Sequence, residues 1–274
     1  MNQLSPLVTI VVAIRNVGID LKQTLDDFDT QGFQNFEVLI ADCNSTDDPG
    51  QYLIDRRYPI RHVMQGDTGI YDAWNKVLPL AQGEWLLFMG AGDTFVAPDV
   101  LECVASHLSV ITDDVLMAYG KVDVMGENGK VVQSCGAPWP TMRADLTHFG
   151  IYPHQATFQR RRTLDLYGTF NDQYRICGDI EMVLRLAGHQ DPVFIPVVVA
   201  HFQFGGTSTV MHNRLSTIRE RHRAMLEHGL AHSYWKHWAK ANVSRLIAIV
   251  LSERSMQQLV DAYRHFVGRE KRFG

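Results

Sequence analysis

The sequence predicts an α/β protein with an open, mostly parallel sheet flanked by helices. Its first half alternates short, β-branched apolar segments with segments of helical spacing, an order typical of parallel strands joined by helices. Asp42 and Asp93 each stand just past one of the apolar segments. Open α/β sheets bind their ligands at the carboxyl ends of the strands, so these two aspartates mark the expected functional edge.

The first strand is predicted at residues 7–14, because this segment is almost continuously apolar, as a strand buried on both faces should be. Leu21, Leu25 and Phe28 follow with helical spacing. The same reasoning predicts strands at 7–14, 36–41, 60–64 and 84–89, and helices at 19–30, 52–57, 70–81 and 98–108.

The second half has a mixed pattern. Strands are predicted at 115–124 and 130–133 around a turn at 126–129, a helix at 178–186, and a strand-like segment at 193–204. From residue 213 onward the apolar spacing is helical. We therefore expect a catalytic domain at 1–210 and a basic, amphipathic helical extension at 211–274.

Charge divides the chain at the same place. Residues 1–210 carry 14 Lys+Arg and 25 Asp+Glu, whereas residues 211–274 carry 12 and 5. A basic amphipathic extension can meet an anionic membrane surface, although a solvated helical face gives the same asymmetry. The longest apolar stretch of the extension, 246–251, is far shorter than the roughly 20 residues that span a bilayer.

The cysteines and the first residues indicate the compartment. Cys43, Cys103, Cys135 and Cys177 lie far apart without a CxxC pair, which fits reduced thiols better than a zinc site or a disulfide framework. The first 16 residues lack a basic leader segment and a cleavage site, so they are interpreted as a buried strand. We expect a cytoplasmic protein that the extension could hold at the inner face of the cytoplasmic membrane.

Seven motifs follow one another along the chain. The first four are Val-Ala-Ile-Arg-Asn at 12–16, Ala-Asp-Cys-Asn-Ser-Thr-Asp at 41–47, Gly-Asp-Thr-Gly-Ile-Tyr-Asp-Ala-Trp-Asn-Lys at 66–76 and Phe-Met-Gly-Ala-Gly-Asp at 88–93. The last three are His-Gln-Ala-Thr-Phe at 154–158, Gly-Asp-Ile-Glu at 178–181 with Arg185, and 202–206 with Ser208. Together they resemble the family 2 glycosyltransferases of the GT-A fold over roughly residues 6–210. The nearest resemblance is to bacterial enzymes that build exopolysaccharides of the colanic-acid type.

The resemblance implies an inverting glycosyltransferase of surface polysaccharide synthesis. It would move a sugar from a nucleotide-diphosphate sugar, with a UDP-sugar expected, to a saccharide or lipid-linked acceptor. Donor-binding residues are implied at Arg15, Asp42, Asp67, Asp72, Asn75 and Lys76, and acceptor-binding residues at His154, Gln155 and Glu181. Helix capping remains the alternative for Asp42, Asp67 and Asp72.

Asp93 is the expected ligand of Mg²⁺ or Mn²⁺, because a diphosphate leaving group needs its developing charge neutralised. The family motif often holds two or three acidic residues where this chain has one, and capping of the next helix is the alternative. His201 is a second candidate for the metal. Asp179 is the expected general base, because the acceptor hydroxyl attacks as it loses its proton. Arg185 is expected to form an ion pair.

Other classes of protein explain less of the sequence. A dinucleotide-binding oxidoreductase would need GxGxxG after the first strand, whereas Gly-Ala-Gly at 90–92 follows the fourth and the motif's last position is Phe95. A P-loop motif is absent, and the basic extension lacks the stacking motifs of a nucleic-acid-binding module. The remaining alternative is a catalytically weak sugar-nucleotide-binding or scaffold subunit, because the motif that contains Asp93 has fewer acidic residues than the family often has. The presence of both Asp93 and Asp179 argues against it.

Overall fold

The computed structural model describes residues 5–126, 129–147, 150–203 and 214–230, together with 258, 261 and 262. The strands are β1 (Val8–Ile14), β2 (Phe36–Asp42), β3 (Ile60–Met64), β4 (Trp85–Gly90), β5 (Thr94–Phe95), β6 (Met117–Met125), β7 (Val131–Cys135), β8 (Thr157–Arg160) and β9 (Val193–Gln203). The helices are α1 (Gly18–Thr30), α2 (Ile70–Val77), α3 (Val100–Leu108), α4 (Trp139–Thr147), α5 (Thr163–Tyr167), α6 (Gly178–Ala187) and α7 (Arg214–Glu227).

One mixed sheet runs through the molecule in the order β3-β2-β1-β4-β8-β6-β9-β5, and β7 pairs with β6. The strands β1 to β4 are parallel, as the alternation of strands and helices predicts. Beyond β4 the sheet is mixed, because β8 inserts antiparallel between β4 and β6, while β9 runs parallel to β6.

Helices cover both faces of the parallel part, which is why β1, β2 and β4 are apolar along almost their whole length, whereas the edge strand β3 is only half-buried. The α1 and α3 side packs Leu25, Phe28 and Val104 against the sheet. The α2 and α6 side packs Trp74 and Val183 against it. The core thus forms two layers, one on each face.

The register of the parallel strands aligns their carboxyl ends. Asp42 is paired with Ile14 on one side and with Met64 on the other, while Ala13 is paired with Gly90. Arg15, Asp42 and the loops that begin after Met64 and Gly90 therefore lie along one edge of the sheet. This is the edge at which the sequence predicts the functional residues.

Three helix predictions need correction. The segment 52–57 is not a helix; a 3₁₀ turn covers Pro49–Tyr52, and Arg56 binds the Tyr52 carbonyl and the Asp29 carboxylate of α1 instead. The helix predicted at 70–81 ends at Val77 and passes into a 3₁₀ turn at Leu78–Leu80, where Pro79 offers no amide donor. The helix predicted from residue 98 begins at Val100.

The first helix of the basic extension, α7, packs on the domain. Ile218, Ala224 and Met225 are buried, and Ala224 and Met225 belong to the core on the α6 side. The helical pattern predicted from residue 213 is thus confirmed over α7, and part of its apolar face is covered by protein. In the part of the chain described here, no helix is long and apolar enough to cross a membrane.

Some predictions lie outside the described residues. These are positions 127–128 of the predicted turn, the last motif from residue 204 onward, and the apolar side chains of the extension that would meet a membrane, namely Trp235, Trp238, Leu246, Ile247, Val250 and Leu251.

Candidate active site

Asp42 ends β2 with its carboxylate turned inward. Its Oδ1 accepts the Ser45 backbone N–H at 2.8 Å, and its Oδ2 lies 2.8 Å from Nε2 of His62 on β3. The Asp42 side chain has no exposed surface, whereas 22% of the His62 side chain is exposed. A ligand at this edge of the sheet therefore meets the imidazole first, and Asp42 fixes the orientation of that ring.

Arg15 stands exposed on the loop after β1, and side chains join this loop to the one after β2. The Asn16 N–H donates to Ser45 Oγ at 2.9 Å, while Asn16 Oδ1 accepts the Thr46 N–H at 2.8 Å. Asp47 accepts the N–H of Gly18 at 2.8 Å. Asp47, in the turn after β2, therefore binds the start of α1.

Asp72 and Lys76 form an ion pair on the first two turns of α2. Asp72 Oδ2 lies 2.8 Å from Lys76 Nζ and accepts the Thr68 N–H at 2.8 Å, and these bonds lower the pKa of Asp72. Lys76 also donates to the Gly66 carbonyl at 2.7 Å, and Asp67 accepts the Gly69 N–H at 3.1 Å. Asp67 and Asp72 thus bind N–H groups of the turn just before α2, and their donor role stays a prediction.

Asn75 joins α2 to the segment that leads into α6. Its Nδ2 donates to the Phe170 carbonyl at 2.8 Å, and its Oδ1 accepts the Phe170 N–H at 3.0 Å. The Phe170 ring stacks on Tyr71 at 5.6 Å and lies 4.9 Å from Phe88, edge-on. Asn75 therefore fixes the backbone of Phe170 and, with it, the Phe170 ring. A contact between Asn75 and the donor stays a prediction.

Asp93 lies three residues past β4 and is buried. Its Oδ2 accepts the Gly90 N–H at 2.8 Å. Thr24 of α1 holds the same loop, because its hydroxyl donates to the Asp93 carbonyl at 3.0 Å and accepts the Gly92 N–H at 2.8 Å. His201 pairs with Thr94 across β5 and β9, which brings it beside this loop.

The residues near Asp93 fit a cation that takes most of its ligands from the substrate. Within the described ranges, no cluster of three or more His, Cys, Asp or Glu side chains has a metal-binding arrangement. Mg²⁺ is commonly bound by one or two carboxylates, with phosphate oxygens and water completing its shell. One buried carboxylate at the carboxyl edge of the sheet is compatible with that mode.

Asp179 occupies the first turn of α6 beside Tyr71. The Tyr71 hydroxyl lies 2.7 Å from the Ile176 carbonyl and 3.2 Å from Asp179 Oδ1. Burial, followed by the charge of Asp179, raises the pKa of Tyr71 well above its usual value, so the hydroxyl remains a donor. Position 178 accepts only glycine without rearrangement, because a Cβ there would lie 2.8 Å from the Tyr71 ring.

His154 is close to Asp179 and packs in an aromatic cluster. Its ring stacks on Phe88 at 5.8 Å and lies 5.5 Å from Trp74. Burial lowers the pKa of His154, with Asp179 opposing this shift, so the ring is neutral at pH 7. Gln155 follows in the same 3₁₀ turn, half-buried. The acceptor roles of both residues stay predictions.

Glu181 is turned into the protein by an ion pair and by a contact with a histidine ring. Its Oε2 lies 3.0 Å from Arg185 Nη2, and its Oε1 lies 3.0 Å from His228 Nε2. Arg185 also donates to the Tyr167 and Thr169 carbonyls at 2.6 and 2.9 Å, so its predicted ion pair is confirmed. With only 4% of Glu181 exposed, a contact with the acceptor would require this carboxylate to leave its partners.

Three residues that contact the site stand out only in the structure. His62 contacts Asp42, Tyr71 contacts Asp179, and Glu220 of α7 accepts backbone N–H groups just before α6. Tyr71 lies within a recognised motif, whereas His62 and Glu220 gave no signal in the sequence. Each contact joins residues 20 or more positions apart, so local patterns could not reveal it.

Both the sequence and the fold of this chain match those of known proteins. The family model described as glycosyl transferase family 2 matches residues 9–166, which is more than half of the chain. The chain belongs to this family. It is a glycosyltransferase, and its sheet with flanking helices is the GT-A fold.

Curated relatives cover most of the chain. The PGL/p-HBAD biosynthesis glycosyltransferase of Mycobacterium bovis is 29% identical over 221 residues, which cover 76% of this chain and 81% of the relative. The beta-monoglucosyldiacylglycerol synthase of Nostoc is 27% identical over 194 residues, or 66% of this chain and 41% of that protein.

Solved structures share the fold at low sequence identity. The fragment 1–349 of S. aureus TarS matches with a TM-score of 0.61 at 18% identity, over 93% of this chain and 78% of the fragment. The mannosyltransferase PcManGT from Pyrobaculum calidifontis, solved with GDP-Man and Mn²⁺, matches with a TM-score of 0.61 at 16% identity, over 96% and 81% of the two chains. Their likeness shows the architecture alone.

Proposed function

We propose that this enzyme is an inverting glycosyltransferase that uses a nucleotide-diphosphate sugar, with Asp179 as its general base and Asp93 as its metal ligand. The supporting observation is the contact between Tyr71 and Asp179. Tyr71 lies in the first turn of α2, at the same edge as Asp42 and Asp93, and its hydroxyl reaches α6. The groups proposed to bind the donor and to accept the proton therefore lie at one edge of the sheet.

The donor would lie along the carboxyl ends of β1, β2 and β4. The Asp42–His62 pair offers hydrogen-bonding groups to a nucleobase, and Arg15 and Lys76 offer positive charge to a diphosphate. TarS has been solved with UDP-GlcNAc and with UDP, and PcManGT with GDP-Man. These neighbours support a nucleotide-sugar donor, and we propose a UDP-sugar.

The chemistry is a single displacement. The acceptor hydroxyl gives its proton to Asp179 as its oxygen attacks the anomeric carbon. The bond from that carbon to the diphosphate oxygen breaks, and the nucleotide diphosphate leaves with the electron pair. Attack opposite the leaving group inverts the anomeric configuration. A divalent cation on Asp93 would neutralise the charge that develops on the diphosphate. Tyr71 orients Asp179 throughout.

A thermal-shift panel of UDP- and GDP-sugars with Mn²⁺ tests the donor proposal. A donor at about 100 times its Kd stabilises the fold by about 2.7 kcal/mol, which raises the Tm by about 5–10 °C. We expect a UDP-sugar to give the largest shift and His62→Ala to reduce it. A panel in which no nucleotide sugar shifts the Tm would contradict the proposal. A shift without any slow release of free UDP would instead favour the sugar-nucleotide-binding subunit.

The acceptor is proposed to be a lipid-linked saccharide in the synthesis of a surface polysaccharide of the colanic-acid type. The Nostoc relative is named beta-monoglucosyldiacylglycerol synthase, and a monoglucosyldiacylglycerol is a glycolipid. The charge of the extension supports the same idea, because residues 231–274 carry eight Lys+Arg and three Asp+Glu. We propose that this part of the chain holds the enzyme on the inner face of the cytoplasmic membrane.

Flotation of the full chain with phosphatidylglycerol-containing vesicles tests this location. Each basic residue near an anionic surface contributes about 1 kcal/mol, so replacing Arg269, Lys271 and Arg272 by Ser should lower the partition coefficient by up to about 100-fold. High salt should weaken binding in the same way. Equal flotation with neutral phosphatidylcholine vesicles, or none at low salt, would reject electrostatic attachment.

A further inference from the structure

Glu220 of α7 accepts hydrogen bonds from three consecutive backbone groups that lead into α6. Its Oε2 accepts the Ile176 N–H at 2.8 Å and the Cys177 N–H at 2.9 Å. The Arg175 N–H lies 3.1 Å from Oε1 and 3.2 Å from Oε2. Cys177 is the N-cap residue of α6 and makes no capping bond with its side chain. A carboxylate from a distant helix therefore binds the N–H of the N-cap residue and the two N–H groups before it.

The next residue of α7 binds the end of a different helix. Arg221 is buried and donates to the Leu146 carbonyl at 3.3 Å and to the Gly150 carbonyl at 2.6 Å. Leu146 belongs to the last turn of α4. An anion at the start of α6 and a cation at the end of α4 both match the helix dipoles they face. This arrangement fixes α7 relative to both helices.

The peptide groups of Ile176 are held from two sides. Glu220 accepts its N–H, and the Tyr71 hydroxyl donates to its carbonyl at 2.7 Å. The Tyr71 ring also rests against Gly178, the first residue of α6. Asp179 follows directly, so its position depends on Tyr71 on one side and on Glu220 on the other.

We propose that Glu220 is a positioning residue for glycosyl transfer. By holding the segment 175–177 it sets the first turn of α6, so that the Asp179 carboxylate meets the acceptor hydroxyl in a productive geometry. This inference rests on the proposed role of Asp179 as the base. Hydrogen bonds to an ionised acceptor are roughly twice as strong as neutral ones, and a displacement of about 1 Å at a reacting group can cost about 10²-fold in rate.

The test compares Glu220→Ala and Glu220→Gln with a matched control, Glu227→Gln. Glu227 lies on the same helix and contacts the neighbouring Tyr174 and Arg223, so it loses the same charge without touching residues 175–177. We expect Glu220→Ala to lower kcat by about 10–100-fold. We expect Glu220→Gln to lose less, because its amide oxygen still accepts. The control should keep the wild-type kcat, and donor Kd should stay within about twofold in all three.

Measurements in the Asp179→Asn background separate positioning from a general structural role. If Glu220 acts through Asp179, adding Glu220→Gln to Asp179→Asn should lower the residual rate little further. The same loss in both backgrounds, a parallel loss of donor affinity, or a wild-type kcat in Glu220→Ala would each overturn the proposal. Full transfer by Asp179→Asn alone would instead show that the proposed base is wrong. If Glu220→Ala does not fold, the comparison is made with Glu220→Gln alone.

Discussion

Asp179→Asn should lower kcat for transfer by about 10²–10⁴-fold and leave donor affinity unchanged. Asparagine matches the shape of aspartate, and its Oδ1 can still accept a hydrogen bond from Tyr71. It cannot take a proton from the acceptor hydroxyl at neutral pH. The measurements are kcat at saturating donor and acceptor, and the donor Kd by calorimetry.

Asp172→Asn is a suitable control for this prediction. Asp172 is exposed on the segment that precedes α6, so its replacement removes a nearby charge without removing the proposed base. It should retain transfer. If Asp179→Asn kept transfer within about threefold of wild type, far from the loss expected of a missing base, another group would have to accept the proton.

Asp93→Asn, or excess EDTA with the wild type, should reduce turnover by about 10³-fold, which corresponds to about 4 kcal/mol of lost transition-state stabilisation. The asparagine oxygen can still accept the Gly90 N–H, so the loop should keep its shape. A neutral amide binds a divalent cation far more weakly than a carboxylate does. Turnover and Mn²⁺ binding by electron paramagnetic resonance both measure the effect.

Asp99→Asn controls for loss of charge at this place, because asparagine can cap a helix as well as aspartate does. Asp99 is exposed and occupies the N-cap position of α3. The sequence also allowed Asp93 to serve as a cap for this helix. If capping were the role of Asp93, the asparagine variant would keep the Tm, the turnover and the EDTA response of the wild type. Full turnover of the wild type in EDTA would rule out the metal-dependent step.

Local pattern was enough to predict the parallel half of the sheet. The strands predicted at 7–14, 36–41, 60–64 and 84–89 match β1 to β4 to within one residue at each end. For β1, β2 and β4 the reason is that strands covered on both faces need continuous apolar runs. β8 was not predicted. It is four residues long, and only its pairing with β4 and β6 defines it.

The sequence predicted the candidate site residues, but it did not predict which side chains contact them. The motifs pointed to Asp42 and Asp179 in the order of a known family. That Asp42 is enclosed behind His62, or that Glu181 pairs with Arg185 and His228, depends on packing between distant segments. Charge composition also could not show which basic residues face inward. Arg221 of α7 binds carbonyl groups inside the protein, and the membrane location of the extension stays a proposal.

The bond between Glu220 and residues 175–177 also bears on when the enzyme becomes competent during synthesis. Cys177 is made 43 positions before Glu220. At about 5–20 residues per second, the ribosome needs several seconds more to add the second partner. In that interval the parallel strands can pair, while the turn that carries Asp179 lacks one of its two supports. Catalytic competence should therefore arrive with α7, after most of the sheet has been made.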